Sequence, residues 1–253
     1  MTTQKQIILF TAIFICLFLP VTIEAQREDA LVKIVQANEY YHEKDYQAAV
    51  KIFENLIEQD QTNGYLYYNL GNAYMRLGKI GHAILNYLRA KQLLPRNENL
   101  DANLRFAITQ TVDQLYPPQM GFLYEFLFWI ESISVSEHFR LLIIFNVIFW
   151  FVSIGFLYYR NSSWNILKNI SMGILLLTFI STGIKYYLQA EHKTGVVLKN
   201  KVDIKSDRGI QNVTLFQLHE GAIISVNQEE ANWVNVSLDK DKSGWIQKKS
   251  IGY

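Results

Sequence analysis

The stretch YLYYNLGNAYMRLGKIGHAILNYLRAKQLLP, Tyr65 to Pro95, has the apolar spacing of helices but carries very small residues on its apolar face. Gly71 lies within the first helical run, where glycine costs about 1 kcal/mol of helix stability relative to alanine. Ala83 and Ala90 lie in the second run, at positions where a buried helix usually carries leucine or isoleucine. The small residues therefore need an explanation other than ordinary burial of an amphipathic helix.

The pattern occurs twice in the chain, with a spacing of 34 residues. Four pairs of residues recur at this spacing: Tyr40 and Tyr74, Ala49 and Ala83, Phe53 and Tyr87, and Leu56 and Ala90. Sequence periods of this length are typical of helical repeats that stack side by side. The sequence therefore predicts a helical repeat domain at residues 26–116.

The second copy resembles the tetratricopeptide repeat family. The resemblance rests on nine signature positions: Tyr67, Leu70, Gly71, Tyr74, Gly78, Ala83, Tyr87, Ala90 and Pro95. It implies two antiparallel helices per repeat, with Gly71 and Ala83 at their closest approach. It also implies that Ala90 packs against the next helix.

The predicted array is short. Its repeats span 30–63 and 64–97, and a helix at 99–111 would cap the stack. Stacked repeats usually need about three units for stability. We therefore expect the array to depend on the membrane or on a partner.

The same resemblance implies a groove for a peptide or protein, lined by the first helix of each repeat. The candidate binding residues are Asn38, Tyr41, Tyr65, Tyr68, Asn72, Met75 and Arg76. Asn38 and Asn72 hold equivalent places, and an asparagine amide can pair with an extended peptide through its donor and its acceptor. The alternative is that both asparagines are only solvated surface residues.

The N-terminal segment 1–25 has the pattern of a signal peptide. A basic start at Lys5 precedes an apolar run at 7–19, and Ala25 precedes the expected cleavage at Gln26. The alternative is an uncleaved signal anchor, and the chain beyond is exported in either case. The only cysteine, Cys16, lies within this segment, so no intramolecular disulfide is possible.

The middle of the chain has the pattern of membrane-associated segments. An aromatic segment at 117–135 has the composition of an interfacial helix, and two apolar runs at 136–160 and 166–187 are each long enough to span a bilayer. The loop between them, 161–165, is flanked by basic residues and no acid. The positive-inside rule places it in the cytoplasm, with both flanking domains outside.

Asn146 is the polar residue within the first apolar run. An amide in lipid needs a hydrogen-bond partner. We expect Thr178, Ser181 or Thr182 of the second run to supply it. The alternative is a contact with another membrane protein.

Residues 194–253 alternate short apolar runs with turn residues, which predicts strands. The region resembles bacterial SH3-like domains at Glu220-Gly221, Trp233, Gly244 and Trp245. The resemblance implies a small all-β barrel that binds cell-wall peptides or proteins. We expect Trp233 and Trp245 to be core residues, with ligand platforms as the alternative, and the loop 206–212 to be the contact surface.

Composition argues against several function classes. A net charge of +1 gives no electrostatic footprint for nucleic acid. The five histidines are scattered without metal-ligand spacing. We find no catalytic constellation, and we expect no enzyme activity, no metal and no cofactor.

The fold class predicted is thus multidomain: an α-helical repeat domain, a two-helix membrane hairpin and a C-terminal SH3-like barrel. This order of parts resembles the repeat-containing proteins of the bacterial aerotolerance (Bat) operon. The resemblance implies a scaffold in the inner membrane, with both domains in the periplasm. It also implies von Willebrand A-type partner proteins and, indirectly, a MoxR-type ATPase. Two alternatives are a peptidoglycan-binding protein that acts through the SH3-like domain, and an unrecognised enzyme.

Overall fold

The computed structural model describes residues 24–59, 63–117, 128–191, 193–239 and 242–253. The predicted signal segment lies outside them except for its last two residues, and so does most of the aromatic segment 117–135. The chain divides into two compact units, 1–61 and 62–253. We describe each by itself.

The first unit contains helices α1 (Glu24–His42) and α2 (Tyr46–Glu58), which pack against each other. The turn between them ends at Asp45, whose carboxylate accepts a hydrogen bond from the backbone N–H of Ala48 at 3.0 Å. This is an N-cap, which satisfies a donor in the first turn of α2. Ala49, Phe53 and Leu56 are fully buried.

The second unit begins with α3 (Gly64–Arg76), α4 (Ile80–Leu93) and α5 (Glu98–Thr109). The side chains of Asn63 and Asn97 cap α3 and α5 by accepting from backbone N–H groups at 2.9 and 3.0 Å. Gly78 has φ of +72°, the left-handed conformation that lets the chain reverse between α3 and α4. The chain therefore forms a helical hairpin followed by a third helix.

Two long apolar helices follow the short helix α6 (Phe128–Ser132). Helices α7 (Val135–Tyr159) and α8 (Ser162–Glu191) pack against each other, and both are strongly apolar. Both are long and apolar enough to cross a membrane. Helix α8 begins at Ser162 because the Asn161 side chain caps it, accepting from the Trp164 N–H at 3.0 Å. The connection is therefore shorter than the loop predicted at 161–165.

The C-terminal region is an antiparallel sheet. Its strands are β1 (Lys193–Val197), β2 (Lys201–Lys205), β3 (Thr214–His219), β4 (Ile223–Glu230), β5 (Trp233–Asp239), β6 (Lys242–Gln247) and β7 (Ile251–Gly252). Their order is β3-β2-β6-β5-β4-β1-β7. Strands β3 and β7 are the two edges, so the sheet is not closed and the predicted SH3-like barrel is not observed. Val197, Ile204, Ile224, Val234 and Ile246 form its buried core.

Candidate protein-binding site

The small residues of the repeat lie where α3 and α4 approach each other. A Cβ atom on Gly71 would lie 2.6 Å from two ring carbons of Tyr87 and 3.3 Å from the Ala83 carbonyl oxygen. Ala83 and Ala90 are fully buried. Glycine at 71 therefore leaves the space that the buried Tyr87 ring occupies.

The Tyr87 hydroxyl begins a polar network that joins three helices. It donates to Asn72 Oδ1 at 2.8 Å, and Asn103 Nδ2 on α5 donates to the same oxygen at 2.9 Å. Asn103 Nδ2 also contacts the Tyr68 hydroxyl at 3.0 Å. Two donors thus engage the Asn72 acceptor and hold its side chain in place. A peptide-binding role for Asn72 would use its Nδ2 donor.

The structure brings some of the predicted groove residues together. Tyr68, Asn72 and Met75 are half-buried on α3, whereas Arg76 is exposed and the Tyr65 side chain is 61% exposed. Asn38 and Tyr41 are half-buried on α1 in the first unit, where the Tyr41 ring contacts Tyr46 at 5.2 Å between centroids.

Asn103 was not among the predicted site residues. It is the amide within the apolar stripe of α5, whose buried members include Leu100, Leu104 and Ala107. A polar residue at such a spacing indicates a buried partner, and this signal was present in the sequence. The sequence alone did not indicate that the partners would be Tyr68 and Asn72.

A carboxylate of the sheet caps helix α4. Lys79, at the N-cap position, makes no side-chain cap, and Glu220 in the turn after β3 accepts instead from the Gly81 N–H at 2.9 Å. A Cβ atom on Gly81 would lie 2.6 Å from the Val197 carbonyl oxygen. The negative charge also lies at the positive end of the helix dipole. Glu220 thus joins the repeat to the sheet.

Two further contacts extend this repeat–sheet interface. Asp113, beyond α5, accepts from the His219 N–H at 2.7 Å and contacts its ring Nδ1 at 3.1 Å. Gly221 has φ of +84°, and a Cβ atom there would lie 2.4 Å from Thr111 Cγ2. The Glu220-Gly221 pair, predicted as part of an SH3-like signature, therefore lies in the contact with the repeat.

The C-terminus completes the repeat–sheet interface. Arg89 Nη2 on α4 donates to the Tyr253 carbonyl oxygen at 3.2 Å. A Cβ atom on Gly252 would lie 2.4 Å from Leu85 Cδ2, so β7 runs directly against α4. One side of α4 therefore packs on the sheet, while Tyr87 on the same helix points to the network with α3 and α5.

The apolar hairpin is attached to the repeat by polar contacts at one end. Arg96 donates to the Ser132 carbonyl oxygen at 2.8 Å and pairs with Glu137 at 2.5 Å. Lys185 Nζ donates to the Ile130 carbonyl oxygen at 2.6 Å. The Arg96 contacts hold this end of the hairpin at the loop between α4 and α5, and the Lys185 contact joins α8 to α6.

A shallow cavity of about 210 Å³ lies on the sheet. Lys199, Lys201, Lys205, Ile210 and Trp233 contribute to its lining. Trp233 and Trp245 are half-buried, which differs from the expected core positions. A residue with one face in such a cavity remains accessible to a ligand.

Glu229 pairs with lysines from two other segments of the C-terminal region. The hydrogen bond from Lys248 Nζ, at 2.9 Å, lowers the pKa of Glu229 from 4.5 to about 2, and Lys193 Nζ at 3.3 Å acts in the same direction. The pair raises the pKa of Lys248. Glu229 thus joins β4 to β1 and to the short helical turn Lys248–Ser250.

Asn146 lies on the exposed surface of α7, and the structure does not pair it with α8. Thr178 Oγ1 donates to the Leu175 carbonyl oxygen and Thr182 Oγ1 to the Thr178 carbonyl oxygen. Ser181 Oγ accepts from Trp129 Nε1 at 3.2 Å. All three expected partners therefore have other hydrogen bonds, two of them to backbone carbonyls of α8 itself.

In the described parts of the chain, no group of three or more His, Cys, Asp and Glu residues could hold a metal ion.

Comparison with protein families matches one part of the chain to a known repeat. A comparison with curated proteins found no match. The tetratricopeptide repeat pattern matches residues 40–84, which confirms the repeat predicted from the sequence. Residues 40–84 thus match a tetratricopeptide repeat. Repeats of this family generally mediate protein–protein interactions.

Proposed function

We propose that the chain is a membrane-anchored, non-catalytic scaffold whose repeat domain binds other membrane proteins. One observation carries this proposal: the sheet covers one side of α4 through Glu220 and Gly252, whereas Tyr65 and Arg76 on α3 remain exposed. The sheet thus packs against the α4 side of the repeat. The α3 and α5 side carries an amide and tyrosines that a partner can contact.

The repeat–sheet interface also supports a two-pass topology. Gly81 and Asp113 precede the apolar hairpin, and their partners Glu220 and His219 follow it. Groups in direct contact lie on one side of a bilayer whose hydrocarbon core is roughly 30 Å thick. The chain between them crosses the membrane an even number of times, in agreement with α7 and α8 as a hairpin. Arg160 and Lys168 at its tip favour a cytoplasmic turn and periplasmic domains in an inner membrane.

The finer proposal is a Bat-type aerotolerance complex. The support is the order of parts: signal segment, short repeat array, apolar hairpin and all-β domain. In this assignment the partners are von Willebrand A-type membrane proteins, with a MoxR-type ATPase as an indirect partner. We propose no direct thiol redox chemistry for the chain, because its only cysteine lies in the signal segment.

The cavity on the sheet favours a second candidate function, peptidoglycan binding. Lys199, Lys201 and Trp233 around about 210 Å³ suit a short peptide with carboxylates, whereas Lys205 in the same lining pairs with Asp203 at 3.6 Å. In this alternative the C-terminal all-β domain binds the cell wall and the repeat only supports that domain. Co-sedimentation with purified cell wall tests it, with Trp233→Ala as the variant expected to lose retention.

The scaffold proposal is tested by photocrosslinking in intact membranes. A photoreactive phenylalanine derivative replaces Tyr65, which is exposed on α3 on the same face as Asn72. The matched control replaces Arg105, which is exposed on α5 on the side opposite Asn103. We expect a discrete membrane-protein adduct from position 65 and none from position 105. Equal labelling at both, or none at either, would contradict the proposal.

A further inference from the structure

Asn146 lies near the middle of the first apolar helix. It is the eleventh residue after Val135 in a 25-residue helix, so it lies roughly 16 Å along an axis of roughly 37 Å. In a bilayer this position is close to the centre of the hydrocarbon core. The short asparagine side chain cannot reach the headgroups from there, so its amide needs a partner within the membrane.

The hairpin itself does not provide this partner. Asn146 is exposed, and the hydroxyl groups of Thr178, Ser181 and Thr182 have the other hydrogen bonds given above. Within the described residues, the structure records no hydrogen bond to the Asn146 amide. In a bilayer the Asn146 side chain would therefore face lipid with its amide donor and acceptor unsatisfied. Such an unsatisfied polar group is unfavourable in free energy within hydrocarbon.

Asn146 belongs to a regular seam on α7. Residues spaced alternately four and three apart form it: Phe139, Ile143, Asn146, Trp150, Ser153 and Leu157. The apolar members are strongly exposed, with Ile143 at 63% and Leu157 at 62%. A seam of this 3.5-residue period is the geometry by which two helices pack in a left-handed pair. Its exposed apolar members flank the amide on both sides along the helix.

Ser153 shares the helical spacing of the seam, but its hydroxyl does not lie on the exposed face. Its hydroxyl is buried and has no hydrogen-bond partner among the described residues. It lies two helical turns, seven residues, beyond Asn146. Because this chain alone already buries that hydroxyl, the case for a further helix rests on the exposed amide of Asn146.

We propose that this seam pairs with the same seam of a second copy of the chain, so that the two Asn146 amides bond to each other. This inference rests on the proposed membrane anchoring. Two copies with the same topology place their α7 helices parallel, so each residue meets its own counterpart at the same depth. An amide is both donor and acceptor and can satisfy itself across a two-fold axis, unlike a carboxylate or an ammonium group. A single asparagine in an apolar seam also fixes the register of such a pair.

Disulfide crosslinking of the full chain in native membranes tests the seam. In a Cys16→Ala background the chain has no other cysteine, so Ile143→Cys and Ile144→Cys each introduce one thiol. Both isoleucines are exposed and adjacent, but only Ile143 lies on the seam. We expect a crosslinked homodimer from position 143 and not from position 144. Similar crosslinking at both positions, or none at 143, would overturn the inference, as would an adduct with a different protein at 143.

Substitution of the amide completes the test. In the Ile143→Cys chain, Asn146→Leu is expected to lower the association constant about tenfold, whereas Asn146→Gln retains the dimer. Unchanged crosslinking in Asn146→Leu would overturn the role of the amide. Alkaline carbonate extraction separates the two proposals. A chain that is retained in the membrane but does not dimerise contradicts only the pairing, and a chain that is extracted contradicts the anchoring and the pairing together.

Discussion

At the scale of single residues, the close approach of α3 and α4 depends on the absence of a side chain at Gly71. The Tyr87 ring lies in that space and carries its hydroxyl to Asn72. The Tyr87 ring must pack in the space beside Gly71 for its hydroxyl to reach Asn72. The hydrogen bond therefore depends on the absence of a side chain at position 71. The conformational freedom of glycine plays no part here, because Gly71 has ordinary helical geometry.

We predict that Gly71→Ala destabilises the repeat by about 1–3 kcal/mol in the free energy of unfolding, since the added methyl group would overlap the Tyr87 ring. Thermal unfolding of the detergent-solubilised chain, followed by circular dichroism, measures it. Gly173→Ala is the matched control, because a Cβ atom there has nothing within 4 Å. A Gly71→Ala chain as stable as the control would contradict this account of the small residues.

The stability of the sheet should depend on pH through the ionisation of Glu229. Its pKa is lowered from 4.5 to about 2 in the folded chain by Lys248, so folding favours the ionised form. The stabilisation is fully present above pH 4.5 and is lost as the pH falls toward 2. We expect Glu229→Gln to be less stable than the parent at pH 6 and to show a flatter loss of stability between pH 4.5 and 2. If the stability of the parent and of Glu229→Gln falls in parallel as the pH is lowered, the Glu229 carboxylate does not contribute to stability.

At the scale of elements, helix α4 is completed from outside the repeat. Its own N-cap residue makes no side-chain hydrogen bond, whereas α3 and α5 are capped locally by asparagines. Glu220 supplies the missing acceptor from a turn 139 residues away in the sequence. The repeat and the sheet thus share a helix end.

We predict that Glu220→Ala costs about 1 kcal/mol of stability, the usual value of an N-cap. Hydrogen exchange should show faster exchange at the amides of Gly81 and His82, in the first turn of α4. Asp207→Ala, in the exposed loop after β2, is the control and should leave these amides unchanged. If α4 exchanges equally in both variants, Glu220 does not cap the helix.

At the scale of the whole molecule, segments before and after the apolar hairpin are in contact. The contacts Gly81–Glu220 and Asp113–His219 join residues 139 and 106 positions apart. They require the repeat and the sheet to be on the same side of any membrane that the hairpin crosses. The proposed cytoplasmic position of the basic hairpin tip is compatible with this arrangement.

Cysteine accessibility in a Cys16→Ala background tests this topology. We expect a membrane-impermeant maleimide to label Arg105→Cys and Lys249→Cys in cells with a permeable outer envelope. Ser163→Cys, at the hairpin tip, should react only after lysis. All three residues are exposed in the structure, so differences in labelling report the side of the membrane. Labelling of Ser163→Cys before lysis would invert the model.

The sequence by itself determined the elements that depend on local pattern. The 34-residue period and its signature residues predicted the repeat, which the match at 40–84 confirms. Continuous apolar runs predicted two helices long enough to span a membrane, and alternation predicted the strands of the C-terminal sheet. These signals are readable because helix and strand periods are set by neighbours a few residues apart.

Only the tertiary structure decided which residues meet across long separations. It placed Asn103 against Asn72, Glu220 at the end of α4, and Asn146 on the exposed face of α7. The expected bond from Asn146 to α8 failed because periodicity shows that a helix is apolar but not which face its neighbour covers. Likewise, strand pattern did not show whether the sheet would close. Such contacts depend on the relative placement of whole elements, which packing in three dimensions selects.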